Sequence, residues 1–160
     1  MNPNIIAVLP EEIKGKGIGS RIYTETDNYI DDKTPELFLD HMLKRAGRNK
    51  KEMDKIFKQI TQIQKNTPYV ISELAVFFAH KHRKSPYDKH GRGFVNVRYV
   101  SHIEDSQIVL ITGEKIATLS RFESLNINKN AALLMIYREH ANRLLDREES
   151  IRFLRANIFK

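Results

Sequence analysis

The chain has no cysteine, so it can form neither a disulfide bond nor a thiolate zinc site. It also lacks any apolar run near the ~18 residues that span a membrane. The N-terminal segment has no basic region before its short apolar run and no cleavage-like sequence after it, so we expect no signal peptide. These absences predict a cytoplasmic protein with no membrane partner.

Signatures of common catalytic sites are missing as well. Gly15–Gly19 is rich in glycine but precedes a strand instead of opening a helix, so it does not predict a phosphate loop. No Ser-His-Asp signature is visible, and the adjacent acids Glu11-Glu12 and Asp31-Asp32 lie in predicted turns, where acids are usually solvated. We therefore predict a protein that is not an enzyme and needs no cofactor.

Three histidines, His80, His82 and His90, lie close together in the sequence and are of the type that binds zinc or copper. The lysines and arginines among them would repel a metal ion, and Asp88 is the one acid nearby. We predict no metal site and treat His82 as an additional phosphate contact.

The positive charge of the chain is concentrated in two segments. The formal net charge is +7, yet residues 44–65 hold eight Lys/Arg against two acids and residues 80–92 hold five against one, so the remainder is net negative. Localised charge of this kind favours a polyanionic partner, nucleic acid above all. The alternative is a solvated basic surface that keeps the protein soluble.

The second basic segment lies inside the stretch Thr67–Arg98. Apolar, β-prone residues precede and follow it, so the pattern predicts two strands that hold a cationic loop, His80–Arg92. Arg83 and Arg92 in this loop suit a narrow A·T-rich minor groove, where the negative potential is deepest.

The remaining pattern predicts an α+β fold: a mainly antiparallel β-sheet, two inserted helices and a long C-terminal helix. We expect strands at Asn4–Leu9 and Ile18–Thr24, with Glu11–Gly19 as a turn. Thr34-Pro35-Glu36 begins the first inserted helix, and the second runs from about Lys50 to Gln64. The segments expected to be irregular are Tyr29–Lys33, Ser101–Ser106 and Arg121–Asn128.

A hairpin is expected at Gln107–Leu119, and the C-terminal helix from about Ala131. We divide the chain into a DNA-binding α+β domain, residues 1–128, and a C-terminal helix, residues 129–160, that docks on the domain or dimerises.

The lysine face of the second helix and the cationic loop supply the predicted DNA contacts. The helix would contact the phosphate backbone, because lysine favours phosphate over base edges, and the loop would enter the groove. The predicted DNA-binding residues are Arg45, Arg48, Lys50, Lys51, Lys55, Lys58, Lys81, His82, Arg83, Lys84, Lys89 and Arg92.

Several motifs occur in a distinctive order: IIAVLPEEIKGKGIGSRIYTE at residues 5–25, Ala46-Gly47-Arg48 with its basic flank, Lys65–Phe78, Gly93–Val97, and the run from Ile103 through Ile108–Leu119 to Ser120–Ser124. This order resembles the competence transcription factor family ComK of Gram-positive bacteria. The resemblance implies an activator of competence genes that binds A·T-rich duplex DNA through the minor groove as a dimer or tetramer. It also implies control by an adaptor that delivers the protein to a Clp protease.

Two other functions stay open. The first is an RNA-binding or ribosome-associated module, and the second is a protein-interaction regulator whose basic face meets an acidic partner.

Overall fold

The protein was analysed as a computed structural model, which describes residues 4–85 and 88–158. The predicted α+β architecture is confirmed, with antiparallel sheets, two inserted helices and a long C-terminal helix. In chain order the elements are β1 Ile5–Ile13, β2 Gly17–Thr24, β3 Asn28–Asp31, α1 Pro35–Arg45, α2 Lys50–Thr61, β4 Tyr69–Ser72, β5 Ala75–Lys81, α3 Asp88–Gly91, β6 Arg92–Asn96, a 3-10 turn Val97–Tyr99, β7 Val100–Glu104, β8 Gln107–Leu110, β9 Lys115–Ala117 and α4 Phe122–Asn157.

Six strands form the main sheet in the order β3-β2-β1-β6-β5-β4, and β7-β8-β9 form a smaller one. Successive side chains of a strand point to opposite faces, so the main sheet builds two cores. Phe77 packs on one face with Leu39 and Leu43 of α1, while Phe78 packs on the other with Met135 of α4. The second core also takes in α2 and the smaller sheet.

The first hairpin is longer than the sequence suggested. Strand β1 continues through Pro10 to Ile13 and pairs with β2 down to Ile13 opposite Gly17, so the turn is confined to residues 14–16. The predicted strand end at Leu9 was wrong because β1 pairs with β6 only at Ala7 and Val8. Beyond that point one side of β1 has no strand partner, and a proline there removes no ladder hydrogen bond.

Two segments expected to be irregular are edge strands. β3 pairs with β2, and β7 pairs with β8, although most side chains of both strands are exposed or half-exposed. Backbone pairing holds an edge strand without a buried face, so its sequence carries little apolar alternation. The expectation of polar connectors at Tyr29–Lys33 and Ser101–Ser106 was therefore wrong.

The inserted helices begin at Pro35 and Lys50, as predicted, and the cap at Asn49 is an addition from the structure. Thr34 accepts a hydrogen bond from the Leu37 amide at 3.4 Å, and Asn49 accepts one from the Lys51 amide at 2.9 Å. α2 ends at Thr61, three residues early, because Gln62 adopts a left-handed conformation with φ 62°. Met53 and Phe57 of α2 are buried in the core, while Lys51 and Lys55 are exposed.

Helix α4 begins at Phe122, so the expected connector Arg121–Asn128 is its first two turns. Leu125 is buried in the core, which anchors this early start. The division between residues 128 and 129 falls inside the helix and stays a prediction. From residue 140 to residue 158 every side chain is exposed, and Arg143 still contacts Glu73 of the domain at 2.9 Å, so the distal half extends beyond this contact by about 21 Å. None of the helices in the described part of the chain is both long and apolar enough to cross a membrane.

Candidate nucleic-acid interface

The central stretch does form two paired strands that hold a cationic loop. β5 and β6 pair with Lys81 opposite Arg92 and His80 opposite Gly93, so these residues belong to strands and the loop is shorter than predicted. We call residues 82–91 the tip; within it, residues 86 and 87 lie outside the described part. The Gly91 carbonyl closes the tip by accepting from the amides of His82 at 2.8 Å and Arg83 at 3.1 Å.

The outer edge of β5 is open beside the tip. β4 pairs with β5 only between Ala75 and Phe77, so the last residues of β5 have no strand on that side. The start of α4 and the chain before it take its place. Asn128 donates to the Ala79 carbonyl at 3.3 Å, Ser120 accepts from the Lys81 amide at 2.8 Å, and the Leu119 amide donates to the Lys81 carbonyl at 2.7 Å.

A cavity of about 580 Å³ lies along this open edge, and both basic segments contribute to it. Lys65 comes from the end of the first segment, while Lys81, Arg83 and Arg92 come from the second. We call it the edge cavity. No carboxylate occurs among the described residues that line it, which are Lys65, Asn66, Ala79, His80, Lys81, Arg83, Ser85, Gly91, Arg92, Ser120, Ser124 and Asn128.

Arg83 is the least compensated cation of the edge cavity. Its Nη1 is buried and has no hydrogen-bond partner in the described structure. The backbone of Arg83 is held tightly, since a Cβ on Gly91 would stand 2.8 Å from the Arg83 carbonyl oxygen. The tip thus requires glycine at position 91, and this close approach fixes the position of the Arg83 backbone.

Arg92 and Lys81 are cross-strand neighbours of the same charge, an arrangement that is unfavourable by itself. Arg92 relieves it by an ion pair with Glu36 of α1, at 3.4 Å between Nη1 and Oε1. Lys81 and Lys84 are exposed. The side chain of Lys89, another predicted contact, lies outside the described part of the structure.

His80 and His82, two of the three histidines of the second segment, face inward instead of toward a ligand in solution. His80 is 2% exposed, and its Nε2 lies 3.2 Å from Nδ1 of His82. Burial, with a smaller contribution from His82, lowers the pKa of His80 to about 3. Burial also lowers the pKa of His82, although a hydrogen bond to the Ala117 backbone opposes the shift. His82 lies between the two sheets, so we leave it out of the interface.

Arg48 is committed to the fold. Its guanidinium forms two hydrogen bonds with the Glu139 carboxylate, at 2.9 and 2.8 Å, and one with the Val70 carbonyl at 3.3 Å. These contacts join the connection between α1 and α2 to α4. Three of its hydrogen bonds are made within the fold, so we also leave Arg48 out of the interface.

Lys50 is likewise a structural residue. Its ammonium pairs with Asp54, donates to Thr67 Oγ1 at 2.7 Å and lies 4.6 Å from the ring centroid of Tyr69. Desolvation lowers the pKa of Lys50, and the hydrogen bond to Asp54 partly offsets this. The contacts anchor α2 against the start of β4.

The exposed cations of the first segment are the ones that can meet a partner. Lys51 and Lys55 are exposed, Lys58 is half-exposed, and Lys65 reaches the edge cavity. Arg45 is exposed too, but it lines a separate cavity with Tyr29 and Phe38. Of the predicted contacts, the structure brings only Lys81, Arg83 and Arg92 together at one cavity.

Polar lining residues of the edge cavity that were not among the predicted contacts include Lys65, Ser120, Ser124 and Asn128. Ser124 and Asn128 are four residues apart and so share one face at the start of α4, and Ser120 lies just before the helix. That spacing was a usable signal, but it was lost because the segment was expected to be a connector.

Across residues 4–85 and 88–158, no group of three or more His, Asp or Glu side chains is placed to hold a metal ion. No family model matches the chain, and neither a curated protein nor a solved structure is detectably similar to it. The resemblance to ComK therefore depends on the quoted sequence motifs alone.

Proposed function

We propose that the protein binds duplex DNA through the phosphate backbone and acts as a transcriptional activator of the ComK type. One observation carries the DNA part of this proposal: two basic segments that are separate in sequence meet at a cavity with no lining carboxylate. The activator part comes from the motif order. Such a protein would work in the cytoplasm, on the nucleoid.

The exposed lysines around the edge cavity would supply most of the affinity. Lys65 and Lys81 lie at the cavity itself, and Lys84 follows on the tip. Each lysine that neutralises a phosphate releases a condensed counterion, so binding should weaken steeply as salt rises. Lys51 and Lys55 on α2 extend the same positive charge along the chain.

Entry of the tip into a minor groove is the part of the proposal that depends most on the resemblance. Arg83 has a buried Nη1 and Arg92 pairs with Glu36, so neither guanidinium is held out toward a groove. Lys84 is the exposed cation that the described tip offers. Selectivity for A·T-rich DNA is thus the feature to measure first.

The direct test is fluorescence anisotropy with labelled A·T-rich and G·C-rich duplexes at about 50 and 200 mM salt. We expect a salt-dependent complex with both, tighter on A·T-rich DNA and displaced from it by a minor-groove-binding competitor. Equal affinities and no competition would restrict the interface to phosphates. Salt-independent or undetectable binding to both would refute the proposal, and tighter binding to structured RNA would favour the RNA-binding alternative.

The distal half of α4 supports a dimer built from two copies of this chain. Four exposed apolar residues recur every seven positions: Tyr137, Leu144, Ile151 and Ile158. A seven-residue apolar row is the pattern of a helix that packs against another helix.

The dimer is tested by light scattering after size-exclusion chromatography. We expect Leu144→Glu to halve the measured mass, since it places charge in the apolar row. Asn142→Glu, on the outer face of the same helix, should leave the mass unchanged. A monomeric wild-type protein, or a dimer that survives Leu144→Glu, would contradict the assignment.

A further inference from the structure

The edge cavity has the donors of an anion site, and no carboxylate occurs among its described lining residues. Arg92 already pairs with Glu36, which lies outside that lining. All the charged side chains among the described lining are cations, and Asn66, Ser85, Ser120, Ser124 and Asn128 add neutral polar groups. Natural surfaces usually intersperse both signs of charge. A concave surface lined by one sign concentrates counterions of the other.

The buried Nη1 of Arg83 indicates that something outside the chain completes the site. A buried charged donor without an acceptor is costly, and such groups in native proteins are nearly always paired. Within the described structure Nη1 has no partner, although the atom is buried at the cavity. A ligand oxygen would satisfy it and form a charge-assisted hydrogen bond.

A second buried polar group at the cavity also lacks a hydrogen-bond partner in the described structure. His80 is 2% exposed, lines the cavity, and has an Nδ1 with no hydrogen-bond partner in the described structure. Because its other nitrogen contacts His82, the ring is fixed in place. His80 therefore adds a second buried nitrogen without a partner beside the cavity.

The start of α4 adds a third favourable feature. No side chain caps the helix at Arg121, while Ser124 in its first turn lines the cavity. The first amides of a helix have no partner within the helix, and they attract negative charge. The helix end does not define the site alone, but like Arg83 it favours the binding of an anion.

The lining also restricts the ligand. No Phe, Tyr or Trp occurs among the described lining residues, and the one imidazole there, of His80, is buried, so the described lining offers no exposed ring on which a nucleobase could stack. Its volume of about 580 Å³ is far larger than one phosphate group needs. We infer that the edge cavity binds two or more linked phosphate groups, held by Arg83, Lys81, Lys65 and Ser124, without reading a base.

Linked phosphates have two sources, a diffusible oligophosphate or the backbone of a nucleic acid. The inference depends on the proposed function only for the second source. Inorganic triphosphate is the probe for the first, measured by isothermal titration calorimetry at constant ionic strength. A duplex, measured by anisotropy, is the probe for the second.

Two variants change the cavity and two matched controls change exposed sites elsewhere. Arg83→Gln removes the buried guanidinium, and Ser124→Glu places a carboxylate at an exposed helix position where folding should tolerate it. Arg98→Gln lies at the opposite end of β6 from the tip, and Ser150→Glu lies on the distal half of α4. Circular dichroism verifies that each variant folds.

We expect triphosphate binding to weaken at least roughly tenfold in both cavity variants and to stay within about twofold in both controls. A parallel loss of duplex affinity in the cavity variants would identify the nucleic-acid backbone as a ligand. Unchanged duplex affinity would identify a diffusible oligophosphate.

The inference is overturned if wild-type protein does not bind triphosphate and the cavity variants bind duplex as their controls do. Duplex DNA would then bind the protein without using the edge cavity. Triphosphate binding that is lost in the cavity variants, in a protein that binds no duplex, would refute the proposed function and leave the cavity assignment intact.

Discussion

The two basic segments look alike in sequence but use their cations differently. In the first, Arg48 and Lys50 hold the fold together through Glu139, Asp54 and Thr67, and their neighbours on α2 are free at the surface. In the second, the residues nearest the strand turn inward. His80 is buried, and Arg83 is buried at one nitrogen.

The difference shows that a local excess of charge overstates the charge that a partner can reach. Glu139 lies 91 positions after Arg48, so no local count pairs them. Only tertiary packing decides which cations meet an internal acceptor and which stay exposed. The residues that keep their charge available here are chiefly Lys51, Lys55, Lys65, Lys81 and Lys84.

The largest effect that would sharpen this comparison is the pH dependence of the free energy of unfolding, which we expect the second segment to cause. His80 has a folded pKa of about 3 against an ordinary value of 6.5. The unfolded chain therefore binds the proton first as pH falls, and stability is highest above about 6.5 and decreases toward 3, by up to ~1.4 kcal/mol per pH unit. His82 shifts in the same direction.

Urea unfolding at about pH 7 and pH 5 measures this slope. Both pH values lie above the range in which Glu11 and Glu25 titrate in the folded protein, because the pKa values of these carboxyls are lowered. We expect His80→Gln to be less stable at pH 7 but to have a shallower slope. Lys55→Gln, at an exposed site, should keep the wild-type slope. A wild-type slope in His80→Gln would show that His80 is not held neutral by burial.

A smaller effect distinguishes the two kinds of cation within the first segment. Arg48→Ala should lower the free energy of unfolding by about 1–3 kcal/mol, because it leaves the half-buried Glu139 with Arg138 at 3.7 Å in place of its bidentate partner. Lys51→Ala, only three residues away and exposed, should change it by less than about 0.5 kcal/mol. If urea unfolding gave equal losses of unfolding free energy for the two variants, the two kinds of cation would not differ in their contribution to the fold.

Much of the fold was predictable because its signals are local. The cap at Thr34, the hairpin at Gly113 and the strands around the tip all follow from short sequence patterns. The edge strands β3 and β7 were missed because pairing through the backbone leaves little trace in side-chain pattern. The start of α4 was missed because Arg121 provides no side-chain cap.

The candidate site was predictable only in part. The tip and the lysine face of α2 were expected from charge, but the edge cavity depends on β4 being shorter than β5, so that α4 covers the gap. Strand length on one side of a sheet and helix position on the other are not encoded in any one segment. The roles of Ser120, Ser124 and Asn128 could therefore emerge only from the structure.

The most direct measurement is the salt dependence of duplex affinity in two double variants. Lys55→Gln with Lys81→Gln removes one exposed cation from each basic segment, whereas Arg98→Gln with Arg152→Gln removes two exposed cations elsewhere. If the exposed cations of both segments contact phosphates, the first pair should reduce the slope of log affinity against log salt by about 1.8 and the second should leave it unchanged. Equal slopes in both double variants would contradict the interface.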